Sequence, residues 1–195
     1  MALIVDITTF LLNTLLSFYL VVILLRFLLQ VARADFYNPI SQFIAKATNP
    51  LVLPLRRVIP SLGGMDTASL LLALAVQFFA TCALILLMGF NFANPLQMLL
   101  WGVIGILSLI LNIYLFTVIA SIVLSWIAPH SDHPAALLLR QFTEPVLAPF
   151  RKLLPSMGGI DLSPILLFVS IQVLQIVLSH AAQSSQLPPR FVLGY

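Results

Sequence analysis

A chain of 195 residues with 61% hydrophobic and 8% charged side chains, and a mean hydropathy of +1.11, has too few polar residues to cover a soluble core of its own. Its formal charge of +3 is small, and the basic residues lie almost entirely outside the apolar runs, which excludes a nucleic-acid-binding basic domain and points to membrane topology. The single cysteine, Cys82, sits inside an apolar run and can form no intrachain disulfide.

The N-terminus, MALIVDITTF, has no basic leader and meets Asp6 early, so the first apolar run is expected to stay as a membrane helix. That run, residues 7–30, exceeds the roughly 20 residues needed to cross hydrocarbon. It carries Ser17, Tyr19 and the only charge well inside a span, Arg26, which is expected to snorkel toward headgroups from its place near the helix end.

Residues 31–66 form the first long loop. Pro39 opens ISQFIAKAT, in which Ile40, Phe43, Ile44 and Ala47 follow helical spacing, so a short amphipathic helix is expected to run until Asn49 and Pro50 stop it. Prolines at 50, 54 and 60 argue against a long regular helix beyond that point. A bent segment on the membrane surface would turn Arg56 and Arg57 toward phosphate headgroups. Gly63 and Gly64 then allow a sharp reversal, and Asp66 stands immediately before the second apolar run, residues 67–90, where a carboxylate caps free backbone N–H groups.

The linker from Asn91 to Pro95 is uncharged. Residues 96–105 are too few to cross the bilayer alone and suit an interfacial helix before a third span at 105–127, which contains Asn112 and Tyr114. The second loop, residues 128–161, begins with His130, Asp132 and His133. Two histidines and an acid in a loop are a weak metal signal beside the reading of solvated loop residues, and no metal or cofactor is expected. Pro134 opens AALLLRQFT, a second amphipathic helix ending at Glu144 and Pro145, followed by Arg151, Lys152, Gly158, Gly159 and Asp161. The fourth span, residues 162–178, carries Gln172, and a short tail follows.

The two halves are one unit written twice. TNPLVLPLRRVIPSLGGMD, from Thr48 to Asp66, returns 95 positions later as TEPVLAPFRKLLPSMGGID, from Thr143 to Asp161. The shared residues are mostly turn formers and charges, which a greasy composition does not produce by chance. The fold expected is an all-α membrane protein of four transmembrane helices, built as two tandem helical hairpins over residues 1–95 and 96–195. An even number of crossings separates equivalent positions, so the repeats run parallel and both long, Pro-rich amphipathic loops face one side. Arg33, Lys46, Arg56, Arg57, Arg140, Arg151 and Lys152 all lie in those loops, which places the loops in the cytoplasm and both termini outside it.

Two sets of residues carry candidate functions. Arg56, Arg57, Asp66, Arg151, Lys152 and Asp161 read either as helix caps and surface charges or as paired sites for headgroups, ions or a protein partner. Tyr19, Gln77, Asn112, Tyr114 and Gln172 read either as interhelical glue or as the lining of a polar path. No Asp, Glu or His lies at mid-span, which argues against a proton pump, and no nucleophile, acid and base can be assembled for an enzyme. The expected partners are anionic lipid headgroups and, beyond them, a second copy or other membrane proteins, with no nucleic acid bound directly.

The doubled P-x-x-x-P-x-R-[RK]-x-[IL]-P-x-x-GG-x-D pattern, unbroken in both copies, resembles the YggT family of small bacterial inner-membrane proteins and the related YlmG proteins. The resemblance covers nearly the whole chain. It implies a multi-pass inner-membrane protein associated with tolerance of osmotic stress and ion uptake, or with division-linked or nucleoid-linked membrane organisation, and it implies no catalytic activity. The alternative is a small oligomeric channel or transporter subunit for a monovalent cation, built around Gln77, Asn112 and Gln172.

Overall fold

The computed structural model describes residues 2–153 and 161–195. Six α-helices account for most of them: α1 (Ala2–Val31), α2 (Pro39–Val58), α3 (Thr67–Leu87), α4 (Pro95–Ile127), α5 (Pro134–Leu153) and α6 (Ser163–Ser184), with a 3-10 turn at Pro189–Phe191. α1, α3, α4 and α6 are long and apolar enough to cross a membrane, and their outward faces carry large apolar side chains such as Phe10, Phe18, Phe79 and Phe116. Such a surface suits lipid, which needs no polar cover at hydrocarbon depth.

The helix ends follow local chemistry. Pro39 and Pro95 occupy first-turn positions behind Asn38 and Asn94, whose side chains accept from the amides of Ile40 and Leu96. Asp66 caps α3 through the Ser69 amide. Gly63 and Gly64, with φ of 60° and 80°, close the tight turn between α2 and α3, in which the Met65 amide donates to Leu62; only glycine takes both angles without cost. The matching expectation for Gly158 and Gly159 lies outside the described residues.

Within each repeat the long loop folds back as a helix against its own hairpin: α2 on α1 and α3, α5 on α4 and α6. α3 packs on α4 to join the repeats, and α2 meets α5 at one end of the bundle. There Asn38 Nδ2 donates to the Pro134 carbonyl at 2.7 Å and Gln141 accepts from the Asp35 amide at 2.9 Å. Both loop helices therefore lie together at one end, an arrangement compatible with parallel repeats.

Two expectations need correction. α2 and α5 do not stop at their prolines; each runs 20 residues through Pro50 and Pro54, or Pro145 and Pro149. The four-residue spacing places Pro50 and Pro54 on the exposed face of α2, opposite the buried Ile44, Ala45, Thr48 and Val52. The carbonyls they leave unpaired thus face outward, where water or headgroups can reach them. Residues 96–105 are no separate interfacial helix; they are the first turns of α4, with Met98, Trp101 and Ile104 buried. Gly102 and Gly105 let α3 approach so closely that a Cβ on either would meet the Gln77 side chain at 3.3 Å.

The C-terminal tail, on which the sequence offers no reading beyond its shortness, is part of the core. Trp101 Nε1 and Gln97 Nε2 donate to the Ser185 carbonyl, and Thr81 Oγ1 donates to that of Phe191. Val192 and Leu193 are buried against Gly105, and Gly194 lies against Leu109, about 20 Å along α4. Irregular backbone at such depth is tolerated because protein surrounds it.

Candidate functional site

The end of α1, the length of α2 and the first turn of α3 converge on one charged cluster. Asp66, 1% exposed, accepts from Arg26 Nε at 3.3 Å and from Arg56 at 3.1 Å and 2.5 Å, while its other bonds come from the amide and hydroxyl of Ser69. One Asp66 side chain thus caps α3 and pairs with two arginines. Burial pushes its carboxyl up, but the hydrogen bonds from Arg56 and Ser69 and the Arg56 charge outweigh that and hold it below the ordinary carboxylate range.

Arg26 corrects a further expectation. It does not snorkel: its side chain is 11% exposed, and its Nη1 donates to the Thr48 hydroxyl and the Asn49 amide oxygen, both at 2.7 Å, and to the Ala45 carbonyl at 3.2 Å. The amphipathic face of α2 lies over the end of α1 and supplies these acceptors, which pays for burying the guanidinium. Sequence reasoning left Arg26 out of the candidate site. The available signal was its partner at the 95-residue offset, Ser121, because a charge that duplication has not repeated invites a local explanation.

In the second repeat Arg151 Nε donates to Asp161 at 2.9 Å and its Nη1 to both Glu144 oxygens at 2.7 Å and 2.6 Å. These groups are 43%, 45% and 55% exposed, so this is a surface network worth less than its buried counterpart. Burial raises the Asp161 carboxyl, whereas hydrogen bonds from Ser163 and the Arg151 guanidinium lower it further, for a net depression. The duplication therefore preserves Arg56–Asp66 as Arg151–Asp161 but changes the third member: cationic Arg26 in one repeat, anionic Glu144 in the other. Arg57 lies with Lys46 along a shallow groove on the outer face of α2, and Lys152 is exposed on α5.

The intramembrane polar residues separate. Gln77 is completely buried, with neither amide atom hydrogen-bonded; Gln172, its repeat partner, faces outward from the middle of α6. Asn112 accepts a hydrogen bond across helices from Gln175 Nε2 of α6 at 2.9 Å. Tyr114 stacks on Phe142 of α5 with ring centroids 5.1 Å apart, and Tyr19 is half-buried on α1. Among the described residues no cluster of His, Cys, Asp and Glu could hold a metal, and His130, Asp132 and His133 form none.

A sequence model of the family described as CCB3/YggT matches residues 5–87 and again 100–182, the two repeats in register. The chain is 48% identical to an uncharacterized protein of Pseudomonas aeruginosa over 92% of each chain. It is 40% identical to one of Vibrio alginolyticus over 84% of this chain and 89% of that one. With the uncharacterized protein YggT of Escherichia coli it shares 38% identity over 91% of this chain and 92% of that one. No solved structure gives a significant match.

Proposed function

This chain belongs to the CCB3/YggT family, and on that premise we propose that it is a non-enzymatic multi-pass protein of the bacterial inner membrane. It gathers anionic lipid or a membrane partner at its cytoplasmic end and thereby supports tolerance of osmotic stress or ion homeostasis. The observation that carries the reading is the pairing of α2 and α5 at one end of the bundle. Each is a 20-residue amphipathic helix with a basic pair in its last turn, Arg56 with Arg57 and Arg151 with Lys152. The bundle covers one face of each helix and leaves its basic pair at the surface, where cations favour the leaflet rich in anionic lipid by about 1 kcal/mol per residue. The clustering of basic residues at that end supports a cytoplasmic assignment for it and an extracytoplasmic one for both termini.

The test is growth at high osmolarity of cells lacking the protein, complemented with the wild type or with Lys46→Gln, Arg57→Gln and Lys152→Gln combined. These side chains are exposed, so the variant is expected to fold and insert yet to restore growth poorly. Full restoration would refute a role for the basic surface.

A second reading, an oligomeric channel or transporter subunit for a monovalent cation, draws on Gln172. An amide facing outward at mid-span is costly against lipid, and a second copy packed on α6 would satisfy it. Cysteine crosslinking from Gln172→Cys, with cation flux measured in liposomes, separates the two: crosslinked dimers with flux abolished by Gln172→Leu would favour the channel.

A further inference from the structure

A cavity of about 360 Å³ opens beside the Arg26–Asp66–Arg56 cluster, between the end of α1 and α2. Its polar lining consists of Arg26, Gln30, Arg33, Ser41 and Arg56, and its volume falls in the range of small-ligand sites. Three arginines line it and no acid does. Asp66 is spent on Arg26, Arg56 and Ser69 behind the wall, and Asp35, the acid nearest Arg33 in sequence, accepts from the Tyr37 amide.

Among the described residues, the arginines that line this space are not fully hydrogen-bonded within the protein. Arg26 uses Nε and Nη1, and Arg56 uses Nε and Nη2, so each keeps one amino group free. The Arg33 side chain makes no hydrogen bond among the described residues. The Ser41 hydroxyl is buried without a partner, which a native interior seldom tolerates. Arg33 is also placed at some cost: it takes φ of 52° where α1 ends, with its amide bonded to Gln30 and that of Ala34 to Leu29. This is a left-handed cap position usually given to glycine.

The internal duplication separates what this cavity needs from what the fold needs. Arg56 has its equal in Arg151, but Arg26, Gln30, Arg33 and Ser41 fall opposite Ser121, Ser125, Ala128 and Ala136. The second hairpin closes without those four groups, so their presence in the first is not a requirement of the hairpin.

We propose that this cavity binds a phosphate-bearing anion, held by the free edges of Arg26, Arg33 and Arg56 and by the Ser41 hydroxyl. Guanidinium forks match phosphate oxygens in geometry as well as charge. Arg26 lies five residues before the end of α1, about 8 Å along the axis, a depth open to a lipid phosphodiester from the bilayer and to free phosphate from the aqueous side. The inference rests on the proposed membrane-surface role and sharpens it to one pocket in the first repeat.

Delipidated protein in detergent is titrated with dioleoylphosphatidylglycerol, dioleoylphosphatidylcholine and inorganic phosphate, with binding read by native mass spectrometry and by the shift in thermal unfolding. Arg33→Ala with Ser41→Ala leaves the Asp66 network intact, and its folding is checked by an unchanged circular dichroism spectrum. Loss of one charged contact weakens binding by about tenfold or more, so the double variant is expected to lose the phosphatidylglycerol or phosphate complex while Arg57→Ala keeps it. Saturable binding of phosphatidylglycerol alone identifies a lipid headgroup, and saturable binding of inorganic phosphate identifies a soluble ligand. Absence of binding by either probe, or equal binding by the folded double variant, overturns the proposal. The osmotic growth test bears on the surface charges of α2 and α5 and involves neither Arg33 nor Ser41, so the two ideas can fail separately.

Discussion

Replacing Asp66 by Asn should destabilise the protein far more than replacing Asp161 by Asn, although the two positions are equivalent by duplication. Asn caps helices as well as Asp does, so the change at residue 66 removes charge and leaves the start of α3 capped. What remains is Arg26, 11% exposed, facing Arg56 with no anion between them. Removing one partner of a buried pair costs about 3–5 kcal/mol. Arg56 is 40% exposed and keeps part of its hydration, so about 3 kcal/mol is expected. At residue 161 both partners are close to half exposed and Arg151 retains Glu144, so the cost should be about 0–1 kcal/mol. Equilibrium unfolding in mixed micelles, followed by circular dichroism, measures both. Adding Arg26→Met to Asp66→Asn should recover much of the loss, since an apolar replacement of a buried pair is often neutral. Equal destabilisation by the two Asn variants would refute the claim that the first cluster is buried and the second superficial.

Gln77→Leu should leave stability unchanged or raise it by about 1 kcal/mol, because neither amide atom is bonded and an apolar group of similar size removes an unmet polar demand; a clear loss in the same unfolding assay would mean that the amide has a partner. Gly105→Val should expel the tail, since even a Cβ there would meet Val192 at 2.5 Å; limited proteolysis should then cut near residues 186–195, and unchanged protection would refute the packing. Gly63→Ala should cost about 1–2 kcal/mol through its left-handed backbone. Asp66 and Asp161 have depressed folded pKa values. Their contribution is therefore complete above the unfolded value, about 3.9, and is lost as pH falls through the folded values. Stability should be level from about pH 5 to 8 and fall below about pH 4; Asp66→Asn should flatten most of that fall, and an unaltered acid limb would refute the assignment.

Much of this architecture is legible in the chain because it depends on local signals. Pro39, Asp66 and the Gly63–Gly64 pair mark helix ends through rules that operate within a few residues, and the 95-residue repeat fixes the relation of the loops. What the sequence withholds is tertiary. A proline ends or merely bends a helix according to which face it occupies, and the buried face of α2 is defined only once α1 and α3 lie beneath it. A charge near a helix end can reach water or a partner, and Arg26 takes the partner because α2 folds back over it. Gln77 and Gln172 are indistinguishable by repeat position, yet one lies under α4 and the other on the open face of α6. The tail, FVLGY, is too short to show any period, so its burial is invisible before α3 and α4 are assembled.

That burial bears on biosynthesis. Residues 185–195 leave the ribosome after the four long apolar helices, so the surface that α3 and α4 offer to Phe191, Val192 and Leu193 stays uncovered while the rest of the chain is being made. The segment that covers it runs past the end of α6 and then turns back onto helices already made. Packing on α3 and α4 is thus completed from the C-terminal side of α6, and a newly made chain passes through a stage in which its four long helices are present but this surface is bare.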